Sequence, residues 1–341
     1  VIGREPLSRY FGILEGRFSP VFKVSKSIYV DFDPEDDLKK LWEMHERILP
    51  EMYELRENEV REKKTKETKD DVKNFLGLKL AIARKILRRC EFCERRCKVD
   101  RSVKTGWCRA PSTSYYSSEF LHMGEEEVLI PSHTIFFSGC VFRCVYCQNW
   151  DISQYPLVGF PVQPKELAGK VDIRHRQGSR NVNFVTPTPH VHTVLEILMD
   201  VSENVPVVWN SNMYHSSEVA ELLKGVVDVY LGDFKYGNDG CAERLSNVRN
   251  YSEIVRRNFL IAYEDAEIIL RHLVLPNHVG CCTRHVIEWV CENIPDVLFN
   301  LMFQYRPEYS AFEYPEIARR LSGDEMLEAL KYAKKLRYLY T

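Results

Sequence analysis

From His133 onward, six short apolar runs alternate with helix-patterned stretches, and this alternation constrains the fold more than any other feature of the chain. The runs are HTIFFSG, NVNFVTP, PVVWNSN, VDVYLGDFKY, EIILRHLVLP and LFNLMFQY. Between and after them, helical spacing is expected over residues 164–175, 191–200, 216–223, 252–262, 284–293 and 323–336. Apolar strands separated by helices of about ten residues imply a parallel sheet with right-handed crossovers. Six such units predict an α/β fold, a partial (β/α)6 TIM-like barrel, whose site lies at the C-terminal ends of the strands.

The loop after the first run reads SGCVFRCVYCQNW and carries Cys140, Cys144 and Cys147 in a C-x3-C-x2-C spacing. Three thiolates so close can wrap one corner of an iron–sulfur cube, which ordinarily takes four cysteines. The fourth iron is then open, as in catalytic metal sites. Three buried structural cysteines, or a zinc knuckle short of one ligand, remain open on spacing alone. A second group, Cys90, Cys93, Cys97 and Cys108 in CEFCERRCKVDRSVKTGWC, can close a coordination shell. Zinc, a rubredoxin-like mononuclear iron and a second [4Fe-4S] cluster all fit it.

The chain has eleven cysteines in 341 residues. Seven fall in these two metal-spaced groups, which points to a reducing cytoplasm rather than a disulfide scaffold. Of the others, Cys241, Cys281 and Cys282 follow the fourth and fifth runs, where they are read as ordinary small residues or as ligands of another metal; Cys291 has no assigned role. The net charge of -2 offers no field for nucleic acid. No apolar stretch is long enough to cross a bilayer. The opening VIGREPLSRYFG lacks a signal-peptide pattern, and a start at Val1 reads as a trimmed chain.

Three regions are expected: 1–88, a mostly helical extension; 89–128, the cysteine-rich segment; and 129–341, the barrel. Within the first, PVFKVSKSIYVDFD is expected to form one or two strands, and a helix with apolar residues from Leu38 to Leu49 is expected to kink or end at Pro50. The charged stretch 54–71 reads as a solvated helix face or loop.

The three-cysteine spacing resembles the signature of the radical S-adenosylmethionine (radical SAM) enzymes. More narrowly, residues from Cys90 to Tyr309 resemble the pyruvate formate-lyase activating-enzyme-like group called PflX. The segments that carry this are CEFCERRCKVDR with GWC, HMGEEE, TIFFSGCVFRCVYCQNWDIS, NVNFVTPTPH, VDVYLGDFKYG, RHLVLP and NLMFQY, in that order. The resemblance implies a [4Fe-4S] cluster on Cys140, Cys144 and Cys147 whose open iron is chelated by S-adenosylmethionine. It implies reductive cleavage to a 5′-deoxyadenosyl radical that abstracts hydrogen, and an electron donor of flavodoxin or ferredoxin type. Beside such a redox enzyme an upstream iron centre has a use, so iron is preferred to zinc at Cys90, Cys93, Cys97 and Cys108.

By position, the resemblance puts Tyr146 near the adenine, Thr186 and Thr188 at the methionine amino group, and Asn210 and Ser211 at the ribose or carboxylate. Asp233 and Lys235 end the fourth strand. A cation at Lys235 or Arg271 suits the methionine carboxylate, with a salt bridge inside the barrel as the competing role. TPTPH stands where the wider family has a glycine-rich turn with an acidic residue. His190 is a candidate for the substrate mouth. Alternation puts Arg271 and His272 on opposite faces, leaving His272 packed against helices. Three outcomes stay in play: direct modification of a small molecule, lipid or peptide, slightly preferred; activation of a glycyl-radical partner; and a non-catalytic metal-binding protein.

Overall fold

A computed structural model describes residues 4–58, 73–155 and 158–340. The charged stretch from 59 onward lies outside the described residues. Four helices come first: α1 (Ser8–Leu14), α2 (Val21–Ser27), α3 (Leu38–Asn58) and α4 (Phe75–Arg88). Helix α4 lies against α2, α3 and α7, introduced below. Its N-terminus is capped by Asn74, whose Oδ1 accepts from the Gly77 N–H at 2.9 Å. Phe75, Leu76, Leu78 and Ile82 are fully buried, worth roughly 1.5–3 kcal/mol each. Packing therefore holds this helix more than propensity does.

The strand expectation fails here. PVFKVSKS is the helix α2, not a strand. Val21, Phe22, Val24 and Ile28 are buried at helical spacing, Pro20 sits just before the first turn, and the Asp228 carboxylate accepts the Val21 N–H at 2.9 Å. That tertiary cap overrides the β-branched composition. Helix α3 does not end at Pro50 but runs through it to Asn58. Pro50 is exposed, so the backbone groups it frees face water, while Leu41, His45 and Met52 are buried on either side.

One nine-stranded sheet follows. Its strands are β1 (Tyr115–His122), β2 (Ser132–Phe137), β3 (Phe160–Pro161), β4 (Asn181–Val185), β5 (Val207–Ser211), β6 (Val229–Asp233), β7 (Glu267–Leu273), β8 (Leu298–Met302) and β9 (Leu339–Tyr340). The spatial order is β3-β1-β2-β4-β5-β6-β7-β8-β9. Every pair from β2 to β9 is parallel. The six expected strands are β2 and β4–β8, adjacent and in order. The antiparallel β1 and the short β3 and β9 extend the sheet beyond them. The helices are α5 (Trp150–Ser153), α6 (Pro164–Arg176), α7 (Val191–Asp200), α8 (Ser217–Leu223), α9 (Asp239–Ser246), α10 (Tyr251–Asp265), α11 (Arg284–Asn293) and α12 (Gly323–Ala333). Among the described residues, no helix is long and apolar enough to cross a membrane.

Alternation gives the sheet two different faces. Val182, Phe184, Trp209, Tyr230, Ile268, Leu270 and Phe299 join the large core. Val208, Val229, Leu231, Ile269 and Leu298 pack in a separate cluster with Leu7, Tyr10 and Phe11 of the N-terminal segment. On this second face, called inner below because Leu7, Tyr10 and Phe11 cover it, each strand changes character toward its C-terminal end: Val208 gives way to Asn210, Leu231 to Asp233, Ile269 to Arg271 and Leu298 to Asn300. The register sets Asp233 beside Arg271 and Arg271 beside Asn300. A polar layer thus sits above an apolar plug.

Candidate active site

The three-cysteine loop leaves β2 at the C-terminal edge. Gly139 has φ +88°, and a Cβ there would lie 2.6 Å from the Cys108 carbonyl oxygen. Only glycine fits that turn. The loop is pinned by its backbone: Gly139 N–H donates to Ile152, Arg143 N–H to Ser246 and Val145 N–H to Leu245, at 2.8–3.0 Å.

Each sulfur has its own non-cysteine neighbour. The Phe142 N–H reaches Cys140 Sγ at 3.4 Å, and the Asn212 amide lies 3.7 Å from it. Ser246 Oγ donates to Cys144 Sγ at 2.9 Å. Ser153 Oγ is 3.2 Å from Cys147 Sγ. Burial pushes the Cys140 thiol up to about 11 and the Cys144 thiol up to about 12, although Lys235 opposes it at both. Such thiols ionise readily only with a metal's charge beside them. Three sulfurs with hydrogen-bond donors around them fit a cluster with one iron open to a ligand.

Tyr146 is buried. Its hydroxyl is 2.8 Å from Tyr236 Oη, and Tyr236 Oη is 2.5 Å from Ser246 Oγ. A hydrogen-bonded chain therefore runs from Tyr146 to the Cys144 sulfur.

Across the inner face, the β6 and β7 ends carry an ion-pair network. Asp233 pairs with Lys235 and with Arg271, both at 2.8 Å. Arg271 also reaches Glu125 at 3.5 Å, and its other nitrogen donates to Asn210 Oδ1 at 2.6 Å. Burial works to raise Asp233, but Arg271 and Lys235 hold it below the usual carboxylate range. Both cations thus hold salt bridges on this face of the sheet. Glu126 accepts from the Asn300 amide at 2.8 Å, and burial raises its carboxyl. Gly124, Glu125, Glu126, Arg271 and Asn300 line part of a cavity of about 410 Å³.

Thr186 stands at φ +58°, an uncommon conformation for a β-branched residue. Its N–H donates to the Asn210 carbonyl at 3.0 Å. Thr188 is buried with Oγ1 lacking a hydrogen-bond partner. Ser211 Oγ accepts from the Met213 N–H at 3.2 Å.

His190 is no substrate-mouth residue. It is fully buried, stacked on Phe137, with Nδ1 2.8 Å from Ser114 Oγ and Nε2 3.0 Å from the Ser138 carbonyl. It supports the cluster loop from below. His272 lies between Phe234 O and Thr283 Oγ1. Glu125 and Glu126 had no assigned role in the sequence, although HMGEEE stood out. The other available signal was asparagine inside apolar strands, Asn183 in β4 and Asn300 in β8.

The second cysteine group abuts the first. Arg95 donates to the Val141 carbonyl at 3.0 Å, and both Arg95 and Arg143 lie over the Trp107 ring. Cys93 bridges to His215 just past β5. Among the described residues, the set of potential ligand atoms all within 4.8 Å of one another is Cys241, His278 and Cys281. The four upstream cysteines do not form such a set.

The family model of the Radical SAM superfamily matches residues 134–290, from within β2 to within α11. The chain belongs to the radical SAM superfamily. Members of this superfamily generally catalyse SAM-dependent radical reactions, and membership implies SAM and a [4Fe-4S] cluster. The chain is 47% identical over 342 residues to the uncharacterized protein MJ0674 of Methanocaldococcus jannaschii, covering 96% of this chain and 97% of that one. A second protein of that organism, the uncharacterized MJ0808, is 24% identical over 224 residues, which is 57% of this chain and 61% of that one. Streptococcus suis SuiB bound to its precursor peptide SuiA aligns with TM-score 0.42 at 11% identity, over 57% of this chain and 43% of SuiB. SuiB bound to S-adenosylmethionine aligns with TM-score 0.43, also at 11% identity, over 57% and 44%. The aligned part is less than half of SuiB.

Proposed function

We propose that this radical SAM protein is an enzyme of the PflX-like group that modifies a small molecule, lipid or peptide directly, forming a C–C or C–S bond at an unactivated C–H position. Cys140, Cys144 and Cys147 hold the [4Fe-4S] cluster in this reading. Bound there and reduced by an external flavodoxin- or ferredoxin-type donor, the cluster would supply one-electron chemistry to S-adenosylmethionine, the source of a hydrogen-abstracting 5′-deoxyadenosyl radical. The chain's residues position and shield. The Tyr146–Tyr236–Ser246 chain orients the Cys144 sulfur. The Asp233–Arg271–Glu125 network fixes the charge of the inner face, and Lys235 sits between Asp233 and the cluster loop. Thr188 Oγ1 and the left-handed Thr186 are assigned to SAM, together with Asn210 and Ser211.

The observation that carries this reading is the placement of three individually hydrogen-bonded sulfurs in one loop at the C-terminal edge of a parallel sheet, facing a polar layer. Direct modification is preferred over glycyl-radical activation because Cys90, Cys93, Cys97 and Cys108 pack against the same loop through Arg95 and Arg143. An auxiliary iron centre there can exchange an electron with the substrate.

The test is chromatography of 5′-deoxyadenosine after dithionite reduction of anaerobically reconstituted protein. Wild type should form it, and a variant with Cys140, Cys144 and Cys147 all changed to Ala should not. If wild type forms none, with or without candidate substrates, the protein is a non-catalytic metal binder. Mössbauer spectra of the same variant should retain iron at the upstream cysteines. A glycine-loop peptide that acquires a radical signal would instead make the protein an activase.

A further inference from the structure

Cys241, His278 and Cys281 come from two different crossovers, yet their ligand atoms all lie within 4.8 Å of one another. Cys241 sits in the first turn of α9, after β6. His278 and Cys281 lie in the turn after β7, where a π-helical segment, Val279–Thr283, precedes α11. The strands β6 and β7 are parallel neighbours, so their two C-terminal connections meet on the edge that also carries the cluster loop.

The local geometry is that of a coordination site. Cys241 Sγ and Cys281 Sγ are 3.9 Å apart, with no disulfide between them. A tetrahedral zinc with sulfur at about 2.3 Å has S···S edges of about 3.8 Å. His278 Nδ1 lies 2.7 Å from the Pro276 carbonyl oxygen. A carbonyl only accepts, so Nδ1 carries the proton and Nε2 of the neutral ring is left with its lone pair, the outer-shell arrangement typical of metal-bound histidines. Asn238 organises the sulfurs. Its Oδ1 accepts the Cys241 N–H at 2.9 Å. Its amide nitrogen donates to the Cys281 carbonyl at 2.9 Å and lies 3.3 Å from Cys241 Sγ. A side chain at Gly237 would put Cβ 2.8 Å from the Cys281 carbonyl and 2.7 Å from that of Cys282, so glycine lets the two connections close on each other. Cys282 Sγ lies 4.0 Å from Cys281 Sγ but outside the set within 4.8 Å of one another, so a side-chain shift would bring it in as a further sulfur donor.

We propose that Cys241, His278 and Cys281, with Cys282 as the fourth donor, form a zinc site separate from both other cysteine groups. Thiolate and imidazole donors converging on one point suit zinc, and such sites bind it above iron(II) in the divalent affinity order. Its role is a clip. Helix α9 starts at the clip and ends at Ser246, which donates to the Cys144 sulfur and receives the Arg143 N–H. Zinc would fix the β6–α9 connection to the β7–α11 connection and thereby steady the cluster loop.

The experiment is elemental analysis of anaerobically purified full-length protein and its Cys241→Ser/Cys281→Ser variant, with iron counted in the same samples. About one equivalent of zinc should be lost in the variant while the radical SAM iron is retained at least in part. Equal zinc in both overturns the proposal. Should the double variant not fold, wild type alone decides. Zinc should protect Cys241 and Cys281 from maleimide labelling, a strong chelator should release them, and Cys291 should label equally in both states. Labelling of Cys241 and Cys281 that zinc does not slow means a metal-free thiolate–imidazolium pair, and the zinc site is then wrong.

Discussion

The two ends of the sheet are built from similar side chains and put to opposite uses. At the N-terminal end, carboxylates act as staples for backbone. Glu267 accepts the N–H groups of Arg9 and Tyr10 at 2.6 and 2.8 Å. Asp228 accepts those of Val21 and Val207 at 2.9 and 2.8 Å. Asn181 binds Ser132 Oγ, Tyr10 Oη and the Leu129 carbonyl. These groups fasten α1 and α2 over the apolar plug. At the C-terminal end, carboxylates mostly meet cations, and Asn183 Oδ1, Glu126 Oε2 and Thr188 Oγ1 are buried with no hydrogen-bond partner; at the N-terminal end the Asp265 carboxylate also behaves this way, with Oδ1 3.5 Å from Arg56 and Oδ2 without a hydrogen-bond partner. Thr186 and Met213 take positive φ there. Backbone strain at the C-terminal ends of parallel strands reads as a functional site, and bonding at their N-terminal ends reads as stability. The comparison therefore predicts that substitutions at the two ends separate: one end should lose stability first, the other SAM chemistry.

The largest expected effect is at Arg271. Changing it to Met leaves Glu125 without its guanidinium partner, with His122 still 3.3 Å away, and Asp233 with Lys235 alone. Removing one partner of a buried ion pair costs about 3–5 kcal/mol, and the remaining Lys235 puts this case at the lower end. Urea unfolding should show that loss, and 5′-deoxyadenosine formation should fall to background even where the protein stays folded. Adding Glu125→Gln should recover part of the stability and none of the chemistry. Full recovery of both would show Arg271 to be a structural staple, and the two ends would not differ as argued.

Next comes Glu267, where the readout is pH. Burial pushes its carboxyl up from 4.5 to about 7, against the pull of the Tyr10 and Arg9 N–H groups. Asp228 moves the same way, from 3.8 to about 6, again by burial. A carboxyl whose pKa is raised on folding keeps its proton longer in the native state. Its contribution is complete below the unfolded value and is lost as pH rises through the folded one. The melting temperature of wild type should therefore fall by several degrees relative to Glu267→Gln between about pH 4.5 and about pH 7. SAM cleavage by the folded Glu267→Gln variant should match wild type. Parallel pH curves for the two proteins would remove Glu267 as the titrating staple.

How much of this was legible in the sequence follows from what each part depends on. The strands β2 and β4–β8 were legible because apolar runs bounded by helices express a local rule. The edge that carries the cysteine loop was legible because the loop directly follows β2. Helix α2 was not, since its start is set by Asp228, which is 207 residues away. The short β9 and the antiparallel β1 depend on finding a sheet edge to join. Of the Cys241–His278–Cys281 group, the cysteines were visible but His278 was not. Only the adjacency of β6 and β7 brings residues of the two connections together. Glu125 and Glu126 sit in a loop whose sequence carries no period, so their convergence on Arg271 and Asn300 is a purely tertiary fact.

The smallest effect tests the strain itself. Thr186 holds φ +58° at the end of β4, and a left-handed backbone costs an ordinary residue roughly 1–2 kcal/mol. Asparagine visits that region more easily and adds little freedom to the unfolded chain, unlike glycine. Thr186→Asn should thus stabilise the folded protein by up to about 1 kcal/mol, seen as a higher urea midpoint. The Thr186 N–H donates to Asn210 in any case, so that link survives the change. If the conformation serves SAM binding through the backbone, the variant should keep its SAM affinity while gaining stability. If the threonine hydroxyl itself makes the contact, affinity should fall while stability still rises. An unchanged or lowered midpoint would mean that Thr186 is not strained, and backbone strain would then no longer set the C-terminal end of the sheet apart from the N-terminal one.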